Sequence, residues 1–435
     1  MKFKIIYCDY IGPQDEKSWN YQQNGALVLK RSKAGYIFDT YLKSSSLKRF
    51  IESHRSQFQE YDFRDSLALP TFFDMHFHWV QDDVRMMPKD SLLKWLSDYT
   101  WPTEALYKDK QYSSEKAQKF SKELIRAGTL GGAVYSSLHP HSVDHAFRYF
   151  LGDFVIGHVL MNMNSPEYLR HTTAQAKKMV ETYFKRYKSL YALTPRFAPT
   201  TDPLLMKYGA SLARKNRGFI QTHLAETPQE IEYVLEIYRR IRGFENVKSY
   251  TEIYKKCGVL GPRTIMGHGI YLNPEEWKMI QTSKTAIAHC PTSNAPVAEL
   301  GLGSGLFDIK SAKKYKIRWA LASDIGGGPY LSMLDVMKSF LDQHERAKSK
   351  VTAKEALYRS TLAGAEILGV SKKYGSIQKG KSANFVLFNH KSSVANPETR
   401  LRDLLNSVGE QREKFMTLSQ ATFYKGELIS NTTGQ

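Results

Sequence analysis

Two histidines separated by one residue close an apolar run in the stretch 74-DMHFHWVQ-81. The preceding run, 66-SLALPTFF-73, is mostly apolar and is typical of a buried strand. Side chains alternate between the two faces of a strand, so His76 and His78 share a face. Two neighbouring imidazoles can bind one borderline metal ion such as zinc. The alternative interpretation is a strand whose two histidines are each hydrogen-bonded locally.

The composition is that of a globular chain with a large core. The chain has 435 residues, of which 42% are hydrophobic, which suits two or three domains. The apolar run at the N-terminus is too short for a signal sequence, and no uninterrupted apolar stretch reaches about 18 residues, so we expect no membrane span. Cys8, Cys257 and Cys290 are far apart and odd in number, which predicts reduced thiols and a cytoplasmic location.

The net charge of +19 and the pI of about 9.5 would favour anionic partners. The lysines are scattered in short groups such as 184-FKRYK-188 and 312-AKKYK-316. No sequence signature of RNA or DNA recognition accompanies them. We therefore expect a solvated basic surface and no nucleic-acid partner.

Strand-like and helical patterns alternate through the middle of the chain. Helical patterns cover residues 165–187 and 228–244. The candidate strands around them are 152-GDFVIGHVLMN-162, 217-RGFIQTHLA-225, 263-RTIMGHG-269, 284-KTAIAHC-290 and 317-IRWALASD-324. Such alternation predicts an α/β fold with a parallel sheet, and its length suits a (β/α)8 TIM-like barrel.

Both chain ends are rich in β-type patterns punctuated by glycine, as in 25-GALVLKRS-32 and 375-GSIQKGKSANFVLFN-389. A helical pattern covers residues 45–61 between them and the barrel. We predict a small β-sandwich domain formed from both chain ends. The predicted domain boundaries give an N-terminal part, the barrel and a C-terminal part over residues 1–66, 67–372 and 373–435.

Four candidate strands end in polar side chains that could meet at one mouth of the barrel. Taken singly, each has a structural explanation, such as a buried core histidine or a turn or helix-capping aspartate. Four such positions in order favour a metal site. The positions are His76 with His78, His223 with Glu226, His268, and Asp324.

These residue types suit a hydrolytic metal centre. We predict that the metal ligands are His76, His78, His223 and Asp324. Zinc bound by them would lower the pKa of a water molecule toward ~7, and iron suits the same ligands. Asp324 could accept the proton of that water, His268 could orient its attack, and Glu226 could act as a general acid and base.

With these residues, the sequence resembles the guanine deaminases of the amidohydrolase superfamily. The order of the histidines and the final aspartate matches the metal-centre order of the superfamily, and 361-TLAGAEILGV-370 resembles its usual C-terminal stretch. The motifs that carry the narrower resemblance are 78-HWVQ-81, 92-LLKWLSDYTWPTE-104, 161-MNMNSPEYL-169, 194-TPRFAPT-200, 222-THLAE-226, 266-MGHG-269, 289-HCPTSN-294, 303-GSGLFD-308 and 323-SDIGGG-328.

The resemblance implies an enzyme that converts guanine to xanthine and ammonia, with one zinc ion per chain and a homodimeric assembly. It also implies that the side chains contacting the purine are His78, Gln81, Arg196, Phe197, His223, Glu226 and Asp324. Arg196 offers only hydrogen-bond donors and suits a purine carbonyl, whereas Phe197 could stack on the ring. Without the resemblance, core packing would explain Phe197 and a surface ion pair would explain Arg196.

Three segments depart from the pattern of this family. Residues 294–308 form a longer link than usual, residues 82–90 are more charged, and Asn384 replaces a usual aspartate. The first two leave related rings open as substrates, namely 8-oxoguanine, a pterin or an s-triazine. A non-catalytic metal-binding barrel and a nucleic-acid-binding protein are the alternatives from other functional classes.

Overall fold

The computed structural model describes residues 1–432 and divides into two compact units. One unit comprises Met1–Phe73, Lys122–Gly131 and the chain from Leu331 onward, and the other comprises Asp74–Ser121 and Gly132–Tyr330. These units are defined by spatial contacts and are discontinuous along the chain. The domain boundaries after residues 66 and 372 therefore stay a prediction.

The strands of the described residues form two separate sheets of eight strands each. In chain order the strands are β1 (Phe3–Pro13), β2 (Trp19–Gln22), β3 (Gly25–Ser32), β4 (Gly35–Lys43), β5 (Phe58–Pro70), β6 (Phe72–Phe77), β7 (Thr129–Ser136), β8 (Asp153–Leu160), β9 (Ala192–Pro195), β10 (Phe219–Leu224), β11 (Thr264–His268), β12 (Ala286–His289), β13 (Arg318–Leu321), β14 (Phe385–Asn389), β15 (Ser419–Tyr424) and β16 (Glu427–Asn431).

The helices lie mostly between the strands of the second sheet, and many begin at a polar side chain that accepts a hydrogen bond from the first turn. In chain order the α-helices are α1 (Ser44–Ser53), α2 (Leu92–Trp95), α3 (Trp101–Ala105), α4 (Lys110–Ala127), α5 (Pro140–Tyr149), α6 (Thr173–Tyr187), α7 (Pro203–Lys215), α8 (Pro228–Arg239), α9 (Tyr250–Lys256), α10 (Pro274–Ser283), α11 (Pro291–Asn294), α12 (Ile309–Lys314), α13 (Met333–Arg346), α14 (Ala353–Ser360), α15 (Leu362–Leu368), α16 (Pro397–Asn406) and α17 (Phe415–Leu418).

The second sheet is the predicted barrel. Its strands follow each other in sequence order from β6 to β13, and neighbouring strands such as β10 and β11 pair in parallel. Every residue of β6, β7 and β11 is buried, as expected for parallel strands covered on both faces. Beyond the strands, the Asp324 amide donates to the His76 carbonyl at 2.8 Å, which joins the last strand's end to the first. The prediction of a (β/α)8 barrel is confirmed.

The first sheet is mixed and is built from both chain ends, as predicted. Its strand order is β16-β15-β14-β5-β1-β3-β4, and β2 pairs with β1. β1 pairs in parallel with β5 and antiparallel with β3. One apolar cluster takes side chains from strands across this sheet, including Ile6, Leu29, Phe38, Phe385 and Phe423. The sheet therefore encloses its own small core.

The helix predicted over residues 45–61 is only partly correct. α1 ends at Ser53, and residues from Phe58 onward belong to β5 instead. Phe58 is paired with Phe3 of β1. Pairing with a strand that is distant in sequence therefore outweighs the local helical pattern of this segment.

Two further expectations concern membranes and cysteines. No helix within residues 1–432 is both long and apolar enough to cross a membrane. Cys8, Cys257 and Cys290 are all buried free thiols, as the odd count predicted.

A buried ion pair in the first unit gives a test of the fold. Arg400 is 1% exposed and donates to Asp9 at 2.7 Å and to the Ser392 and His390 carbonyls. We expect Arg400→Leu to lower the free energy of unfolding by about 3–5 kcal/mol, because it leaves the Asp9 carboxylate buried without its cation. Urea denaturation measures this loss.

Arg64→Leu is the matched control in the same unit, because Arg64 pairs with Asp62 at the surface. We expect a loss of no more than about 1 kcal/mol from it. Equal losses for Arg400→Leu and Arg64→Leu would contradict a stabilising role for the buried pair.

Candidate active site

Four barrel strands bring the predicted residues to one end of the barrel. His76 lies in β6 with His78 directly after it, His223 lies in β10, His268 ends β11, and Asp324 follows β13. Parallel strands of a barrel present their carboxyl ends at a single mouth. Side chains that are distant in the sequence therefore converge here.

Three histidines and one aspartate form a group that could hold a metal ion. The candidate ligand atoms of His76, His78, His223 and Asp324 all lie within 4.8 Å of one another. Nε2 of His78 lies 3.1 Å from Nε2 of His223. Oδ1 of Asp324 lies 3.2 Å from Nε2 of His76 and 3.7 Å from Nε2 of His78. The predicted ligand set is therefore brought together as one cluster.

The lowered pKa values of these three histidines favour the neutral imidazole, which is the form that binds a metal cation. Burial lowers the pKa of His76 and lowers the pKa values of His78 and His223 well below the usual value. Nδ1 of His223 donates to the Arg196 carbonyl at 2.6 Å, so its Nε2 carries the lone pair. Nε2 of His78 lies close to that lone pair, and its own Nδ1 has no hydrogen-bond partner among the described residues. The donor set of three nitrogens and one carboxylate fits zinc or iron.

A second candidate group shares Asp324 with the first and adds His268 and Cys290. Sγ of Cys290 is buried and donates to the Ala288 carbonyl at 3.5 Å. A protonated thiol is a poor metal ligand, because the thiolate is the form that binds. The histidine-rich group is therefore the better metal site.

Asp324 is held by the same strand ends that carry the histidines. Burial alone would raise the pKa of Asp324, but the nearby His76 and His268 hold it below the usual value. The preceding residue, Ser323, donates its amide to Asp74 at 3.0 Å and also donates its hydroxyl to that carboxylate. Burial raises the pKa of Asp74 to about 7. Asp74 thus fixes the position of Asp324, a role that the sequence did not suggest.

Glu226 and His268 form a coupled acid–base pair. Nε2 of His268 lies 3.5 Å from Oε2 of Glu226 and 3.8 Å from Oδ2 of Asp324. Burial raises the pKa of Glu226. Burial alone would lower the pKa of His268, but the Glu226 and Asp324 carboxylates together raise it. Ser304 donates to Glu226 at 2.7 Å, and the Asn294 amide lies 3.0 Å from Nδ1 of His268. Nε2 of His268 makes no hydrogen bond to the described residues and lies near both carboxylates.

The backbone is strained at two of these positions. His268 has a φ of 70° and Asp324 has a φ of 50°, in the left-handed region that L-residues rarely adopt. Such conformations persist only where the surrounding structure enforces them, and they cluster at active sites. Ala225, which follows β10, has a φ of 48°, so three segments at this mouth share the conformation.

A pocket of about 430 Å³, measured with its open mouth, lies beside the candidate metal ligands. Its lining includes every residue predicted to contact the purine. Phe197 is the apolar one, and the polar ones are His78, Gln81, Arg196, His223, Glu226 and Asp324. The other apolar residues of the lining are Leu92, Trp95, Leu96 and Leu302. Phe197 also belongs to an apolar cluster with Trp95 and Leu302, so packing and pocket lining are both part of its role.

Sequence reasoning missed Glu104, which connects two of the predicted contacts. Glu104 is fully buried and accepts hydrogen bonds from Arg196 at 2.8 Å and from Gln81 at 2.7 Å. Arg196 is therefore in a buried ion pair rather than a surface one. The available signal was the motif 101-WPTE-104, which carried the resemblance but was given no chemical role.

Two of the three segments that depart from the family pattern, residues 82–90 and 294–308, contact each other. Lys89, from residues 82–90, is 3% exposed, and its Nζ donates to the carbonyls of Arg85 at 2.6 Å and Leu300 at 3.0 Å. Burial lowers the pKa of Lys89 to about 8. Residues 294–308 then place Leu302 in the pocket lining and Ser304 on Glu226. Both segments therefore help to shape the pocket.

The third departure lies outside this site. Oδ1 of Asn384 accepts from the Lys425 amide at 2.7 Å and from the Ser382 hydroxyl at 3.1 Å. These contacts are within the first unit, where they join the start of β14 to the turn after β15. Asn384 therefore has a structural role there.

Comparisons with known proteins identify the family of this chain. The model of the amidohydrolase family matches residues 67–423. The guanine deaminase of Escherichia coli (strain K12) is 34% identical over 382 residues, which cover 85% of this chain and 84% of the relative. The guanine deaminase of Dictyostelium discoideum is 32% identical over 342 residues, which cover 74% and 72% of the two chains.

Solved structures of the same enzyme type share the fold. E. coli guanine deaminase superposes with a TM-score of 0.84 at 27% identity, over 100% of both chains. Guanine deaminase from C. acetobutylicum with bound guanine in the active site has a TM-score of 0.79 at 25% identity, over 98% of this chain and 100% of that one. The resemblance noted in the sequence is confirmed. The chain belongs to the amidohydrolase family and, within it, to the guanine deaminases.

Proposed function

We propose that this chain catalyses the hydrolytic deamination of guanine to xanthine and ammonia. The observation that carries the proposal is the buried histidine–aspartate group beside a pocket lined by Arg196, Gln81 and Phe197. Membership of the guanine deaminases supports the same substrate. The reaction adds water at C2 of the purine and breaks the bond from C2 to the exocyclic amine.

In this proposal the metal is zinc, with one ion per chain. Its ligands are His76, His78, His223 and Asp324, supported by the short distances between their nitrogen and oxygen atoms. When bound, zinc supplies Lewis-acid activation of a water molecule at neutral pH. The carbonyl of Arg196 keeps the proton of His223 on Nδ1, away from the cation.

Asp324 and Glu226 move the protons, and His268 orients the water. Asp324 accepts the proton of the attacking water, and its lowered pKa keeps it ionised for this step. His268 hydrogen-bonds that water and orients it. Glu226 protonates ring N3, a role that the raised pKa of a buried carboxyl supports. The Glu226 carboxylate then takes the proton of the new C2 hydroxyl as the carbonyl forms, and passes it to the departing amine. Transfer of the proton held by Asp324 to Glu226 restores both carboxyls. Ammonia leaves with the proton that Glu226 delivers.

The purine is held by the polar and aromatic lining of the pocket. Arg196 donates to the carbonyl oxygen of guanine, and Gln81 hydrogen-bonds the adjacent edge. Phe197 stacks on the ring, a contact that contributes about 1–3 kcal/mol per base. His78 and His223 contact the purine from the metal side.

We further propose a homodimer that works in the cytoplasm. The resemblance to guanine deaminases supports the assembly, and three reduced thiols support the compartment. Sedimentation of the purified protein would test the assembly.

Replacement of one proposed ligand tests the metal site. We expect His223→Ala to weaken zinc binding by more than the ~10–100-fold typical of losing an outer hydrogen-bond partner. Metal analysis of the purified protein and competition with a chelator measure the change. His141→Ala is the control, because His141 lies on α5 outside the group. Equal zinc content in wild type and His223→Ala would contradict this ligand assignment.

Ultraviolet absorbance of guanine, followed as xanthine forms, tests the reaction itself. We expect rapid turnover by the zinc-loaded protein and its loss on chelation. Glu226→Gln removes the acid that serves N3 and the leaving group, so we expect kcat to fall by about 100- to 10,000-fold. Glu232→Gln, an exposed change on the following helix, is the control and should leave kcat unchanged.

A panel of 8-oxoguanine, a pterin and an s-triazine distinguishes the related substrates. No turnover of guanine by folded, zinc-loaded protein would refute guanine as the substrate. Turnover of one panel member instead would then assign the same machinery to that ring.

A further inference from the structure

Three buried side chains form a fixed network at the wall of the pocket. Glu104, Arg196 and Gln81 are 0%, 2% and 2% exposed. Nη1 of Arg196 donates to both carboxylate oxygens of Glu104 at 2.8 Å. Nε2 of Gln81 donates to Oε1 of the same carboxylate at 2.7 Å. Arg196 and Gln81 line the pocket, whereas Glu104 is not part of the lining.

The carboxylate decides which way the Gln81 amide points. An ionised carboxylate offers only acceptors, so the NH2 end of the amide must face Glu104. Oε1 of Gln81 then takes the opposite side, where the Gly326 amide approaches it at 3.5 Å. A second lone pair of Oε1 is left for a ligand. Because Arg196 uses Nη1 for Glu104, a ligand in the pocket that Arg196 lines would accept from its other guanidinium nitrogens.

The network therefore presents one donor and one acceptor side by side. A lactam edge, in which a ring carbonyl lies next to a ring N–H, has the complementary pattern. A purine without the carbonyl has a bare nitrogen at that position, which would face the lone pair of Gln81 and leave Arg196 without a partner. Buried polar groups that lose their partners discriminate strongly against such a ligand.

We propose that Glu104 is a specificity-determining residue that fixes Arg196 as a donor and Gln81 as an acceptor, selecting purines with a 6-carbonyl beside N1–H. The inference rests on the proposed function and deepens it, because it names the residue that sets the substrate class. Glu104 acts through Arg196 and Gln81 and is a positioning residue.

Glu104→Gln is the variant that tests the proposal. A glutamine at position 104 keeps a carbonyl oxygen at only one of the two carboxylate positions, whereas Nη1 of Arg196 donates to both positions and Nε2 of Gln81 shares the first. The new NH2 group therefore faces Arg196, whose guanidinium is held by fewer bonds, and where that group takes the shared position, Gln81 turns its amide and presents a donor to the pocket. The preference for the lactam edge should then fall, whereas contacts to the rest of the ring should remain.

The measurement compares the affinities of two purines that have no 2-amino group and cannot be deaminated. Hypoxanthine has the lactam edge and unsubstituted purine lacks it. Calorimetric titration of the zinc-loaded wild type should show tighter binding of hypoxanthine by about tenfold or more. In Glu104→Gln we expect this ratio to fall to within about threefold.

Glu276→Gln is the matched control, because Glu276 is also buried but caps α10 and accepts from the Thr251 amide. Its affinity ratio should equal that of wild type. A proportional loss of both affinities in Glu104→Gln, or an unchanged ratio, would overturn the proposal. So would a wild type that binds both purines equally.

Glu104→Asp provides a second variant if the glutamine protein does not fold. It keeps the charge beside Arg196, but its shorter side chain cannot hold both partners, so the ratio should fall here too. Loss of folding in both variants would overturn the proposal, because Glu104 would then be only a structural counter-ion. The ratio does not depend on turnover, so a failure of guanine deamination would be recognised separately, in the absorbance assay.

Discussion

The active site depends on one buried contact, which joins the first barrel strand to the segment after the last. The Asp74 carboxylate accepts the amide and hydroxyl of Ser323, and the Asp324 amide donates to the His76 carbonyl. Two metal-ligand candidates belong to one side of this junction and Asp324 belongs to the other. A barrel that failed to close here would separate the carboxylate from the histidines. The same backbone contacts that complete the barrel therefore assemble the site.

The sequence predicted the features that depend on local patterns. Apolar runs followed by histidines or aspartate located β6, β10, β11 and the segment after β13, because strand ends in a barrel share one mouth. β7 and β9 were not recognised, since β7 contains adjacent glycines and β9 ends in Pro195, a residue that weakens a strand pattern. Glu104 was missed for another reason. Its partners lie far away in sequence, at Gln81 and Arg196, and only the folded chain shows that it contacts both.

Buried carboxylates dominate the electrostatics of the pocket, and their surroundings give them different properties. Asp324 lies beside histidines that lower its pKa. Burial raises the pKa of Glu226, and burial raises the pKa of Glu230 to about 7. The Glu226 carboxylate adds to the effect of burial on the pKa of Glu230, and Glu230 accepts the backbone amide of Glu226 at 2.8 Å. Environments that separate the pKa values of neighbouring carboxyls are how one site provides both a base and an acid. Glu104 differs again, because Arg196 neutralises it.

The metal-ligand candidates and the apolar wall of the pocket come from different parts of the chain. The metal-ligand candidates lie on or directly after strands, where backbone pairing fixes them. The apolar side of the pocket comes from connecting segments that carry Trp95 and Leu302, and Lys89 joins these segments through the Leu300 carbonyl. Loops tolerate changes in length and sequence better than strands do. Insertions such as the longer residues 294–308 can therefore reshape the pocket without moving the metal site, and Ser304 transmits any such change to Glu226.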